Sequence, residues 1–483
     1  MNNLQKIEPK KVFTYFEEIS NIPRGSGNQK EISDYLLNFG KKLGLESIQD
    51  ETLNIIIKKP ATKGYESAPI VIIQGHMDMV CEKNNGTIHD FEKDPIELRI
   101  VDDFIYANGT TLGADNGIAM AYAMAILASD DIEHPAIEVL MTTDEETGMF
   151  GAMALSREHI DGKILINLDS EEEGYLLVSC AGGVRTTGKV NIQWQDSLNK
   201  DILKISISGL KGGHSGMDII KERGNSNKLL GRILNNLLNE VEFNLVSLNG
   251  GSKNNAIPRE AEAIITIKKD NKEKSIALVN EFKEKLMNEL RAQDSGLTIN
   301  IEHTDSKVDK EFTIDCTKRV VKLLYLYPNG INTKSVEIKD LVESSTNLGV
   351  VTTNDNIVEF DSAIRSSVAS LKEDIVLRMK EVVEIYGGDF ETSADYPAWE
   401  YDPKSEIREI CKTVYKNMNG KEANIIAIHA GVECGLFKEN LGDLDMISFG
   451  PNLFDVHTPD EHMSISSVQN IWEYLKEILK NIK

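Results

Sequence analysis

Residues 70–78 read Ile-Val-Ile-Ile-Gln-Gly-His-Met-Asp: four β-branched residues, a glutamine, then a glycine, a histidine and a carboxylate. An unbroken apolar run such as Ile70–Ile73 predicts a strand buried on both faces, as in a parallel sheet covered by helices. Chemistry that begins where the run stops fits an open parallel sheet, whose ligands bind beyond the carboxyl ends of the strands. The same pattern recurs further along the chain. Ile137–Met141 is followed by Asp144, Glu145 and Glu146, and Ile164–Leu168 by Asp169. Met446–Phe449, near the C-terminus, is followed by a loop carrying His457. Between the first two runs lies the Ala- and Met-rich helical segment Ile118–Leu127, entered through Gly113-Ala114-Asp115-Asn116-Gly117, a glycine-flanked turn that adds Asp115. The helix Ile465–Ile482 closes the pattern.

From about Lys189 to Thr392 the texture changes to alternating strands, such as Leu203–Ser208 and Ala263–Ile267, and charged amphipathic helices. An inserted domain explains this more simply than one very large sheet. The expected fold is therefore α/β: a mainly parallel-sheet catalytic domain covered by helices (1–188 and 393–483), interrupted by an α+β lid domain (189–392). Asn255 opens a strand-like stretch through Ile267 that precedes the helix Ser275–Leu290. Asn347 opens another through Ile364, before Leu371–Ile385. Two duplicated lobes would account for the insert.

Length and composition agree. At about 150 residues per domain, 483 residues suggest two or three domains. The 41% hydrophobic content suffices to bury cores, which argues against a disordered chain. With 77 acidic side chains against 53 basic ones the net charge is −24, and such a surface repels phosphate backbones and anionic lipid. The expected partner is a small molecule or peptide, with no nucleic acid and no membrane. The N-terminus lacks the apolar core of a signal peptide, and no stretch nears the roughly 18 apolar residues of a bilayer span. Five cysteines without CxxC spacing argue against a thiolate zinc finger and against a disulfide framework. A cytoplasmic location is expected.

Two histidines and several carboxylates at strand ends, with no thiolate, suit Zn²⁺ first and Co²⁺ or Mn²⁺ next. So many ligands are too many for one tetrahedral ion that must keep an open position, but they suit two ions sharing a carboxylate. Asp78, two residues after His76, can accept the imidazole N–H left over from metal binding. Of the adjacent pair Glu145 and Glu146, one can bind metal while the other acts as general base. His462 competes with His457 for the last ligand position, while the run Glu171-Glu172-Glu173 reads as solvated.

The motifs Gly75-His76-Met77-Asp78, Gly113-Ala114-Asp115-Asn116-Gly117 and Thr143-Asp144-Glu145-Glu146-Thr147-Gly148 resemble those of two-zinc peptidases of the aminoacylase and carboxypeptidase superfamily. Gly212-Gly213-His214-Ser215-Gly216, His429-Ala430-Gly431-Val432-Glu433 and His457-Thr458-Pro459-Asp460-Glu461 extend the likeness, which narrows to the bacterial Xaa-His dipeptidases. That resemblance implies hydrolysis of dipeptides of the carnosine type with two Zn²⁺ per chain. It puts His76, Asp115 and Asp169 on one ion and Asp115, Glu146 and His457 on the other, with Asp115 as the bridge. It also makes Glu145 the general base, Asp78 the orienting residue, His214 the group that polarises the scissile carbonyl, and Asn255 and Arg365 the substrate contacts. Arg365 suits a free carboxylate, because guanidinium pairs with it through two parallel hydrogen bonds.

Other readings use some of the same residues. A cysteine hydrolase built on Cys434 and His429 lacks electropositive surroundings that would lower the thiol pKa. A binding protein on the same fold would be expected to have lost Glu145 or a ligand. An N-acyl amino acid deacylase would need the same metals and differ in what the lid accepts. With two lobes in the insert, His214 and Arg365 could serve the site of their own chain, and a homodimer through other surfaces stays compatible.

Overall fold

The computed structural model describes residues 4–197, 200–304 and 307–483. The chain forms two compact units, one made of Met1–Ser179, Tyr401–Ala427 and Val432–Lys483, the other of Cys180–Glu400 and Ile428–Gly431. The second unit thus begins earlier and ends later than 189–392. The reason is pairing: strand Gly182–Asn191 takes both Ile357–Ser366 and Asp389–Tyr396 as antiparallel neighbours, which draws all three into one sheet.

The first unit is built on an eight-stranded sheet. Its spatial order is Glu46–Gln49, Ile55–Lys59, Ile137–Thr142, Val71–His76, Ile164–Asn167, Asp445–Ser448, Tyr175–Cys180, Asn424–Ile428. The four central strands run parallel, and antiparallel strands flank them. Every residue of Val71–His76, Ile137–Thr142 and Ile164–Asn167 is buried, as β-branched runs without alternation require. The helix Ala114–Leu127 is buried on all sides from Asn116 onward and packs against Lys10–Ser20 and Val71–His76. Its small Ala side chains let it lie close to the sheet. The C-terminal helix Ile465–Asn481 is amphipathic and is capped by Ser464, whose side chain accepts from the Ser467 amide.

The second unit holds a nine-stranded antiparallel sheet flanked by the helices Ser226–Glu240, Lys272–Glu289, Ile314–Leu326 and Ala369–Ile385. The two expected lobes are halves of this one sheet, joined at a single residue pair, Gly250 with Val351. They share one apolar core, in which Leu230, Leu234, Val320, Leu324, Phe360 and Met379 are all buried. Asn347 does not open a strand. It sits inside Val342–Thr353, fully enclosed, and its amide donates to the carbonyls of Asn254 (2.8 Å) and Ala256 (2.9 Å). Among the described residues no helix is long and apolar enough to cross a membrane.

Candidate metal centre

The parallel strands of the first unit deliver their polar ends to one place. His76 is the last residue of Val71–His76, and Glu145 and Glu146 open a short helical turn just beyond Ile137–Thr142. Asp115 stands where the backbone has not yet become helical (φ −79°, ψ 106°), two residues after Gly113, which is in the left-handed region (φ 67°). Glycine is required at 113 for a second reason: a Cβ there would lie 2.6 Å from Arg24 Nη2. Two non-glycine residues of the site also hold left-handed backbone, Asp144 (φ 52°) and His457 (φ 62°). Such conformations cost on the order of 1–2 kcal/mol each and collect where function fixes a side chain.

Asp115 divides its two oxygens between two imidazoles. Its Oδ1 lies 3.1 Å from His76 Nε2 and its Oδ2 3.1 Å from His457 Nε2. Asp169 Oδ1 stands 3.4 Å from His76 Nε2, and Glu146 Oε1 stands 3.1 Å from His457 Nε2. Ligand atoms of His76, Asp115 and Glu146 all fall within 4.8 Å of one another. Glu146 Oε1 is buried and, despite its distance from His457, meets no hydrogen-bond geometry. The ligand atoms brought together are all imidazole nitrogen or carboxylate oxygen, a donor set that fits divalent cations. His462 is placed elsewhere: its ring stacks between Tyr106 and Phe454.

Asp78 does more than its spacing from His76 suggested. His76 Nδ1 lies 3.1 Å from the Asp78 backbone oxygen and 3.5 Å from Asp78 Oδ1, so main chain and carboxylate share it. The same carboxylate accepts from the amides of Glu145 (3.1 Å) and Glu146 (3.2 Å) and from Ser26 Oγ (2.8 Å). One fully buried side chain therefore orients an imidazole and holds the acidic turn in register with it.

The electrostatics follow from carboxylates outnumbering imidazoles. Burial pushes Glu145 up to about 9, with Asp169, Glu433 and Glu146 adding to the effect against the pull of His76. Burial likewise holds Asp169 near 6. His457 is pushed up to about 11 by the carboxylates of Asp115 and Glu146 beside it. Bound cations reverse this field and favour the charged carboxylates. Sequence reasoning did not assign Glu433, a buried acid bonded by Gln74 Nε2 (2.6 Å) and Thr142 Oγ1 (2.9 Å). It also gave no role to Arg24 or Glu461. Glu461 was visible as part of the His457 motif, whereas nothing near Arg24 marked it.

The second unit gathers a different set. His214 Nδ1 accepts from the amides of Gly216 (3.3 Å) and Met217 (3.1 Å), which leaves the proton on Nε2. That Nε2 lies 3.4 Å from Arg365 Nη2, so two donors face one space and call for a shared acceptor. Arg365 Nη1 donates to Tyr396 Oη (2.8 Å), and His429 Nε2 lies 2.7 Å from Ser345 Oγ. Burial, then Arg365, lowers His214. Burial, then Arg365 and His214, lowers His429 to about 3. Asn255 is exposed beside the short two-stranded pair that carries His214, and its carbonyl accepts from the Ser215 amide (2.8 Å). Cys434 is fully buried, which removes the cysteine hydrolase reading.

The chain is similar to several known proteins. A family model described as peptidase family M20/M25/M40 matches residues 72–481. The chain is 40% identical over 485 residues to the cytosol non-specific dipeptidase of Escherichia coli, covering 100% of this chain and 99% of that one. It superposes on the crystal structure of aminoacylhistidine dipeptidase from Vibrio alginolyticus with a TM-score of 0.97 at 39% identity, over 100% of this chain and 98% of that one. An aminopeptidase from Bacillus cereus shares the fold at 17% identity, with a TM-score of 0.57 over 99% of each chain.

Proposed function

The chain belongs to peptidase family M20/M25/M40, and we propose that it hydrolyses unblocked dipeptides, Xaa-His among them, at a centre of two divalent cations. The observation that carries this reading is the division of Asp115 between His76 and His457. His76, Asp115 and Asp169 would hold one ion and Asp115, Glu146 and His457 the other, with Zn²⁺ the first choice and Co²⁺ or Mn²⁺ able to replace it. When bound, the ions supply Lewis acidity, polarising the scissile carbonyl and acidifying water.

The chain's own groups do the rest. Glu145 takes the proton of the attacking water and returns it to the leaving amine. Asp78 fixes the His76 tautomer and the position of the Glu145 amide. His214 donates a hydrogen bond from Nε2–H to the carbonyl oxygen as charge develops there. Arg365, with Asn255, holds the free carboxylate of the dipeptide. A cytoplasmic location agrees with the name of the Escherichia coli relative.

The test is a substrate panel of free dipeptides, tripeptides and N-acetyl amino acids, offered to Zn²⁺-loaded protein. Cleavage of free dipeptides, including Xaa-His, with little turnover of N-acetyl amino acids is expected. The opposite preference would make the chain a deacylase, and metal uptake without any turnover would make it a binding protein.

A further inference from the structure

Asp115 stands on a loop whose conformation is held from both sides by buried charges. Glu461, 2% exposed, accepts four successive backbone amides: Leu112 (2.8 Å) and Gly113 (3.0 Å) on Oε2, Ala114 (2.8 Å) and Asp115 (3.4 Å) on Oε1. Arg24, also 2% exposed, donates Nη1 to the carbonyls of Met77 (3.0 Å) and Asp78 (3.3 Å), and Nη2 to the carbonyl of Gly113. Isolated charges at this depth would be prohibitively costly, and these two are tolerated because each makes several hydrogen bonds to backbone and has the other nearby.

What they join is informative. Glu461 closes a tight turn that begins one residue after His457: its amide donates to Thr458 O (3.1 Å), and Thr458 Oγ1 donates to Asp455 O (2.7 Å). Its carboxylate therefore links the segment bearing His457 to the segment bearing Asp115. Arg24 links the latter to the exit of the strand bearing His76 and Asp78. Gly113 admits Arg24 only because it has no Cβ. The three ligand-bearing segments, far apart in sequence, are thus tied by one carboxylate and one guanidinium that bond their backbone rather than their ligand side chains.

We infer that Glu461 and Arg24 are positioning residues: a charged clamp that presets Asp115 between the two imidazoles before a cation arrives. The inference rests on the two-cation centre proposed above. A preset bridge spares the cations the cost of ordering the loop, so loosening the clamp weakens binding of both ions while the ligands themselves stay intact.

Glu461→Gln keeps the shape of the side chain but turns an amide N–H₂ toward backbone N–H donors, opposing donor to donor. The full chain, stripped of metal, is titrated with Co²⁺ against a competing chelator and followed by visible absorption. Amide hydrogen exchange of residues 112–115 is measured in the metal-free state. The expected result for Glu461→Gln is Co²⁺ binding about 10–100-fold weaker, an altered visible band and faster exchange at 112–115. Asp103→Asn serves as the control. Asp103 anchors Ser464 and Ser466 of the same C-terminal segment without touching loop 112–115, so that variant should bind Co²⁺ as the wild type does. Wild-type Co²⁺ affinity in Glu461→Gln, or an equal loss in Asp103→Asn, would overturn the clamp. If Glu461→Gln does not fold, Glu461→Asp, which keeps the charge but shortens its reach, should bind Co²⁺ more weakly than the wild type, and equal binding would overturn the clamp. A wild-type chain that takes up no Co²⁺ would overturn the centre and the clamp together.

Discussion

The two units treat histidine in opposite ways. In the first, His457 lies between Asp115 and Glu146 and is pushed up to about 11. In the second, His429 is buried beside Arg365 and His214 and is pushed down to about 3. One environment has an excess of carboxylates and attracts cations. The other pairs neutral imidazole with guanidinium and suits an anion. Under the proposed function, the first environment suits the cations that activate water, and the second suits anionic groups such as the carboxylate of a dipeptide.

The strongest way to break the comparison is to remove the bridging carboxylate. Asp115→Asn should lose both ions, lowering the metal content toward zero by elemental analysis, whereas Asp169→Asn should weaken one ion only. Retention of two tight ions in Asp115→Asn would dismiss the bridge. Next comes the general base: Glu145→Gln should lower turnover about 10²–10⁴-fold while keeping its metal. Loss of metal there, with retention in Glu146→Gln, would exchange the two roles.

The anion side is sharpened by Arg365→Ala. Its kcat/KM on free dipeptides should drop about 10–100-fold, the worth of hydrogen bonds between charged groups, and should change little on C-terminally amidated analogues. Equal losses on both substrates would deny Arg365 the carboxylate.

The smallest effect is one of pH. Below an ordinary imidazole value of about 6.5 the unfolded chain protonates His429, while the folded chain resists until about pH 3. The unfolded state then binds more protons, so the stability present above pH 6.5 is lost as pH falls, by at most about 1.4 kcal/mol per pH unit. His429→Gln removes this contribution. Urea denaturation at pH 6.5 and 5 should show the wild type losing about 2 kcal/mol more than the variant. Parallel pH responses would mean that His429 is not held neutral.

Much of the first unit was legible because its strands are unbroken apolar runs and the candidate ligands follow them directly, so one pattern pointed to both the sheet and the polar residues at its strand ends. The inserted unit was less legible. Strand Gly182–Asn191 alternates as a strand of either unit could, and only its pairing with Ile357–Ser366 and Asp389–Tyr396 assigns it. Asn347 passed for the start of a repeat because the neighbours it bonds, Asn254 and Ala256, are about ninety residues away.

The sequence by itself determined the α/β class, the strand-end chemistry and the residue types that suit two cations, since apolar runs and local spacing carry those directly. Only the tertiary structure decided how Asp115 divides its oxygens, that Asp78 shares His76 with its own carbonyl, and that Arg24 and Glu461 hold the bridging loop. The physical reason is that a buried charge must be satisfied by whatever backbone surrounds it in space. For Glu461 that backbone lies almost 350 residues away, at a distance no local pattern can encode.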